Sequence, residues 1–514
     1  MQSYVQRAIH SLALISTLAL ISQISILAQE PNTHPDVHLT VLHTNDTHGH
    51  LLPYSYPETT KKGSDISKLK FKRDIGGAAR RGTLIKKIRG ERGHETLLID
   101  AGDICDGTPF STVYHGDADI AVMNALHYDF ACPGNHEYNN SLEQVKKMRD
   151  SAHFPFISAN SKIKADGLLL YQPYIIREIG GVKIAFFGLL TIDAQTYPAA
   201  KNDLTLELPL EAAKRLVPEL RRKADLVVAV THIGFAEDEK MAKEVPGIDL
   251  IVGGHSHSLV ARPQVVKQTD GANQTLIVQD FQWAGTLGRL DMTLHYEIAT
   301  ASWSISKRRG NLIPITSSLS EDEEVATTIA EFWNPIKDEF GAVVGEAAGD
   351  FAEKGEDSAE YNLVADAVCE DVKTEFDIEN SGGVRSFLPR GKVTYGDVVT
   401  LDPFRNTIVT FHATGKQIKT ILENNSPHVS GIRYKLKNGV LQEAVLHGLP
   451  IEDDKIYFGA TNSYYANFIL KEVIDKVDTK QPRLNSILKY FRARKSVAPS
   501  YDNRRVIKGS KRIE

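Results

Sequence analysis

Cysteine is scarce, with three residues in a chain of 514. At most one pair could form and one thiol must stay free, which excludes a disulfide framework. Net charge is scarce too: 60 lysines and arginines face 65 acids, leaving −5. Nothing in that balance recommends a nucleic-acid polymer as partner. No internal repeat or low-complexity tract interrupts the chain. What is present is ordinary, 42% apolar and 24% charged, the proportions of soluble globular proteins. They exclude a disordered, collagen-like or polytopic membrane protein. At about 150 residues per domain, the length predicts two to four domains.

The first segment stands apart from the fold. Residues 1–10 carry one cation, Arg7, and no acid. Residues 12–28 then read LALISTLALISQISILA, an apolar run ending in a small residue. That layout predicts a secretory signal over residues 1–28, cut after Ala28. A spanning helix needs about 20 apolar residues, and this run is shorter and broken by Ser22, Gln23 and Ser25. No cysteine lies near the cut to carry a lipid. The mature chain is expected to be exported, periplasmic or extracellular, without stable membrane insertion.

Apolar β-type runs recur, each with a polar cluster at its C-terminal end. Residues 37–42 lead into HTNDTHGH, 96–99 into DAGD, and 128–132 into PGNHE. Residues 226–230 lead into THIG, and 250–252 into GGHSH. Helical stretches lie between, for example 78–89 and 141–151. Strands alternating with helices predict an α/β domain, whose sites lie beyond the strand carboxyl ends. Five clusters so placed can converge on one spot. A polar loop and an acidic-started helix over about 321–340, N-capped by Ser320, then separate this region from a second core. The expected organisation is a catalytic domain over 36–312, a linker helix over 313–340 and a second domain over 341–510.

The five clusters hold the makings of a metal site. Asp46 and His48 stand two apart, so both would leave one face of an extended strand end. Asp103, Asn135, His136, His232, His255 and His257 complete the set. Carboxylate, imidazole and amide ligands in this mixture suit two divalent transition ions bridged by one carboxylate. Zinc, manganese, cobalt and iron all fit such a set. Glycines beside Asp103, Asn135, His232 and His255 let backbone turn sharply at a crowded site.

The order D-x-H, GD, GNHE, TH, GH-x-H resembles the calcineurin-type metallophosphoesterase superfamily. TVLHTNDTHGH, GGAARRGT and IVGGHSH resemble its 5′-nucleotidase family specifically, and the likeness covers about residues 37–507. The resemblance implies a four-layer α-β-β-α metallophosphatase sandwich followed by an α/β (α+β) nucleoside-binding domain. It implies release of phosphate from nucleoside 5′-monophosphates, with some members cleaving nucleotide sugars or 2′,3′-cyclic nucleotides. By the same resemblance Asp46, His48 and His257 hold one metal, Asn135, His232 and His255 the other, and Asp103 bridges. His136 faces the phosphoryl group and assists the leaving oxygen. Many relatives read GNHEFD, where the aspartate orients that histidine. This chain reads GNHEYN, with Asn139 there, which accepts a hydrogen bond but brings no negative charge. Asn139 could equally belong to a helix start as its cap.

In the second domain, ENSGGVRSFLPRGKVTYGDVVTLDPFRNTI matches the family's nucleotide-binding pattern. The match implies that Asn380 bonds the base, Arg385 reaches ribose or phosphate, and Phe404 stacks on the base. Lys354 falls where relatives carry a phosphate-binding arginine, a point charge in place of a bidentate fork. Relatives close a sandwich over the base with a ring after a glycine loop. Here TNSYYANFILKE lacks that loop, and Tyr465 or Phe468 could substitute. The expectation is an exported nucleotidase acting on a small-molecule nucleotide. The alternatives are a cyclic-nucleotide phosphodiesterase or nucleotide-sugar pyrophosphatase on the same scaffold, and a non-catalytic nucleotide-binding protein.

Overall fold

The computed structural model describes residues 34–509 except 58–64, 93–94, 270, 272, 355–356 and 472. The signal expected at residues 1–28 lies outside the described residues.

The central strands of the first domain are largely buried on both faces, and period-2 alternation divides them between cores. In β1 (Val37–Thr44), Val37, Leu39 and Val41 enter one core and Leu42 another. β2 (Thr96–Asp100) sends Leu97 and Ile99 one way and Leu98 the other. The short β3 (Phe130–Ala131) completes the parallel set. After the edge strand β4 (Tyr174–Ile179), β5 (Val182–Leu190) repeats the division. Its Ile184 and Phe186 join the core shared with β1, while Ala185, Phe187 and Leu189 enter a third.

β6 (Leu226–His232) and β7 (Leu250–Gly253) lie parallel to β5. β8 (Gln264–Lys267) and β9 (Gln274–Val278) extend that sheet, and β10 (Thr286–Glu297) and β11 (Ser302–Pro314) return to the first. The sheet orders are β11-β10-β1-β2-β3 and β8-β9-β7-β6-β5-β4. Helices Ala78–Arg92, Asp117–Ala125 and Leu142–Ser151 cover the outer face of the first sheet. Helices Pro209–Leu220 and Phe235–Glu244 cover that of the second. Two sheets face to face with helices outside form the α-β-β-α sandwich.

Register brings the polar clusters together. Thr44 lies beside Asp100, and Asp100 beside Ala131. In the second sheet His232 lies beside Leu190, and Thr231 beside Gly253. All five segments leave parallel strands at their carboxyl ends, side by side.

The segment expected as one linker helix is two. Helix Glu323–Trp333 is capped by Asp322, which accepts from the Val325 N–H at 3.2 Å, and not by Ser320. The Lys86 ammonium, 2.7 Å from that carboxylate, favours the aspartate. Pro335 has no N–H to continue the helix, and Lys337–Phe340 follows as a separate turn. Val325 and Ile329 are buried in the outer core of the first domain, so the longer helix belongs to that domain's helical layer.

The second domain is built on a mixed sheet. Its strands are β12 (Phe376–Glu379), β13 (Thr407–Thr414), β14 (His428–Ser430), β15 (Ile456–Asn462) and β16 (Ile474–Pro482). They lie in the order β14-β12-β15-β13-β16. Arg483 opens helix Arg483–Arg494 and is fully buried. Its guanidinium binds Glu379 at the end of β12, both oxygens of Asp402, and the Gly383 carbonyl at 2.7 Å. One side chain thus fixes the two segments that carry Asn380, Arg385 and Phe404.

Candidate metal centre and substrate face

β1 ends at Thr44, so Asp46 and His48 are not on the strand. Both lie in a turn with left-handed backbone, φ 50° and 48°. Asp103, His255 and His257 are left-handed too, at φ 55°, 78° and 51°. Such conformations are uncommon outside glycine, and their concentration here marks strain held by the surrounding structure. The two loops below are packed tightly. A Cβ on Gly134 would stand 2.2 Å from Asp103 Oδ1, and one on Gly102 2.6 Å from the Gly134 nitrogen.

The expected ligands converge. His257 Nε2 stands 3.1 Å from His48 Nε2 and 3.3 Å from Asp46 Oδ1. His232 Nε2 stands 3.1 Å from Asp103 Oδ2, and His48 Nε2 3.7 Å from the same oxygen. Three groups of ligand atoms, Asp46–His48–His257, His48–Asp103–His136 and Asp103–His232–His255, are each close enough to share one ion. His255 is partly exposed and also meets Asp193 Oδ2 at 3.2 Å.

Three imidazoles are oriented alike. His48 Nδ1 donates to the Asp106 carbonyl at 3.0 Å, His232 Nδ1 to the Ala101 carbonyl at 2.7 Å, and His257 Nδ1 to Gln282 Oε1. Each bond leaves Nε2 for a cation. Burial lowers the affinity of His232 for a proton, but the Asp103 and Asp46 carboxylates override it and raise its pKa to about 10. Burial also works against the Asp103 anion, yet His232 and His136 hold it well below the usual carboxylate range. Among the described residues, Asn135 Oδ1 is buried without a hydrogen-bond partner, and His232 Nε2 meets the Asp103 carboxylate. Carboxylates, imidazole nitrogens and an orphaned amide oxygen within one buried cluster fit divalent ions.

Glu137 ties the loops together, accepting from the N–H groups of Gly134 at 2.6 Å, Asp103 at 3.1 Å and Ile104 at 3.0 Å. His136 Nε2 lies 4.0 Å from Asp103 Oδ2, and the Tyr197 hydroxyl 3.3 Å from that nitrogen. Tyr197 also accepts from Asn135 Nδ2 at 2.8 Å. Asn139 follows the short turn His136–Tyr138, and the next helix is capped by Ser141 instead. Asp106 and Tyr197 carry no signal of their own in the sequence. Asp106 lies three residues past Asp103.

The second domain delivers two of its expected residues onto the cluster. Arg385 Nη2 lies 3.0 Å from His48 Nε2, and the Phe404 ring 6.0 Å from that of His136, nearly parallel to it. Arg385 also sits 5.7 Å over the Phe404 ring. Asn380 follows β12, its Oδ1 accepting from Asn462 Nδ2 at 2.9 Å. Lys354 lies on a hairpin against the Tyr501 ring at 5.4 Å. Tyr465 is core, whereas Phe468 is half-exposed and lies 5.0 Å from Tyr464. The Tyr464 phenol is pushed up by burial and by the Asp193 carboxylate.

Comparison with known proteins agrees with the geometry. Residues 39–259 match the calcineurin-like phosphoesterase family, and residues 343–468 the 5′-nucleotidase C-terminal domain. A 5′-nucleotidase of Vibrio vulnificus is 31% identical over 83% of this chain and 84% of its own length. The crystal structure of a 5′-nucleotidase precursor from Thermus thermophilus is 28% identical, with TM-score 0.81 over 92% of this chain and all of that one. A Thermus sulfate thiohydrolase, SoxB, shares the fold at 20% identity, with TM-score 0.78 over 93% and 97% of the two chains. The chain therefore belongs to the 5′-nucleotidase family of calcineurin-like metallophosphoesterases, metal-dependent phosphoester hydrolases.

Proposed function

We propose that the chain is an exported 5′-nucleotidase that hydrolyses nucleoside 5′-monophosphates to nucleoside and phosphate with two divalent ions. The observation that carries this reading is the meeting of Arg385 and Phe404 with the ligand cluster. A cation and a stacking ring beside a phosphoester site suit a substrate with phosphate at one end and a base at the other. Asp46, His48 and His257 would hold one ion, Asn135, His232 and His255 the second, with Asp103 between them. Bound there, such ions supply Lewis acidity toward phosphoryl oxygens and acidify water. His136 gives a proton to the departing ribose oxygen, and Arg385 offsets phosphate charge as the domains enclose the substrate. Export rests on the layout of residues 1–28; no helix among the described residues is long and apolar enough to cross a membrane.

The test is metal-reconstituted activity on AMP, UMP, a nucleotide sugar, a 2′,3′-cyclic nucleotide and p-nitrophenyl phosphate. Highest kcat/KM on the 5′-monophosphates is the expected result. Preference for the cyclic nucleotide or the nucleotide sugar would replace this reading with the corresponding phosphodiesterase or pyrophosphatase.

A further inference from the structure

The family pattern supplies an aspartate at position 139 to orient His136, and this chain has asparagine. The structure brings a carboxylate from another loop. His136 Nδ1 lies 2.6 Å from Asp106 Oδ2, and Asn139 Nδ2 donates to the same oxygen. Asn139 Nδ2 is itself 3.1 Å from His136 Nδ1. An amide NH₂ only donates, so Nδ1 carries its own proton to Asp106, and the proton delivered to the leaving oxygen is the one that Nε2 carries in the imidazolium form. That nitrogen faces the Tyr197 hydroxyl and the cluster.

The loop is built to hold Asp106 there. Its backbone is left-handed, φ 71°, which aspartate and asparagine tolerate best among residues with a side chain. Its N–H donates to Ser111 Oγ at 2.7 Å, and its carbonyl accepts from His48 Nδ1 at 3.0 Å. A Cβ on Gly107 would stand 2.7 Å from the His48 carbonyl, so the chain passes close to the cluster at this point. One residue thus fixes His48 through its main chain and His136 through its side chain. Both partners of the second bond are largely shielded from solvent, 5% and 18% exposed, where a charge-assisted bond is strong.

We propose that Asp106 is the positioning residue for His136, replacing the carboxylate that relatives carry at position 139, and that Asn139 holds Asp106 in place. The proposal rests on the reading of His136 as the group that protonates the leaving oxygen. Asp106 fixes the ring's direction and holds the imidazolium whose Nε2 proton goes to the leaving oxygen.

The test compares Asp106→Asn, Asn139→Asp, the double variant and His136→Ala in the metal-loaded full chain. kcat and KM are measured on AMP and on p-nitrophenyl phosphate, together with metal content and melting temperature. Asp106→Asn keeps the backbone preference and should lower kcat on AMP by about 10–100-fold, with KM and metal content little changed. The loss should be smaller on p-nitrophenyl phosphate, whose leaving group needs no proton. Asn139→Asp alone sets two carboxylates against each other and should also lower kcat. The double variant should recover most of the loss, because an oxygen at the place of Asn139 Nδ2 stands within reach of Nδ1. Wild-type kcat in Asp106→Asn, equal losses on both substrates, or a double variant no better than Asp106→Asn would overturn the proposal. Loss of metal in Asp106→Asn would do the same, since it would assign the residue to structure. Full activity in His136→Ala would instead remove the role of His136 itself.

Discussion

Asp103 is the residue on which the cluster turns. Its Oδ2 lies within 4.0 Å of imidazole nitrogens from His48, His136 and His232. Asp103→Ala should reduce bound metal to one equivalent or less and abolish hydrolysis; metal analysis beside an AMP assay checks both. Retention of full activity would refute a bridging role. His136 stands at the edge of the same cluster, with Nδ1 committed to Asp106. His136→Ala should cut turnover by about 10²–10⁴ while metal content stays at the wild-type level. A matching loss of metal would reassign it from chemistry to ligation.

Among the elements, the first turn of helix Arg483–Arg494 has the largest consequence for the substrate face. Arg483, Glu379 and Asp402 are buried together, and the Gly383 carbonyl completes the shell. Arg483→Met would leave two buried carboxylates without their cation, at a cost of about 3–5 kcal/mol. Denaturant titration reads that loss. A change near zero would mean that the carboxylates take up protons without penalty. The strand ends were legible in the sequence because a run apolar on both faces, then a polar cluster, is what a buried parallel strand followed by a site loop requires. Backbone detail was not. The spacing of Asp46 and His48 suits an extended strand, but both adopt left-handed turns past its end. Ser320 and Asp322 are equivalent caps by residue type, and only Lys86, distant in sequence, separates them. Asp106 was invisible as a partner of His136 because the contact crosses 30 positions between two loops.

At the scale of the whole molecule, the first domain carries the His/Asp cluster that could hold metal and the second faces it with Arg385 and Phe404. The sequence indicated that division through two sets of motifs, but not how far the second domain reaches. The structure places the Phe404 ring 6.0 Å from that of His136. Lys354, matched by motif to a phosphate-binding arginine, stands 5.4 Å over the Tyr501 ring. If Phe404 stacks on the base, its energy serves only substrates that have one. The deciding measurement is kcat/KM of Phe404→Ala and the unmodified chain on AMP and on glycerol phosphate, an ester with no ring to stack. Loss of stacking should cost about 1–3 kcal/mol on AMP, near ten- to hundredfold, with glycerol phosphate almost unchanged. Equal losses on the two substrates would make Phe404 a packing residue and contradict nucleoside recognition by this face.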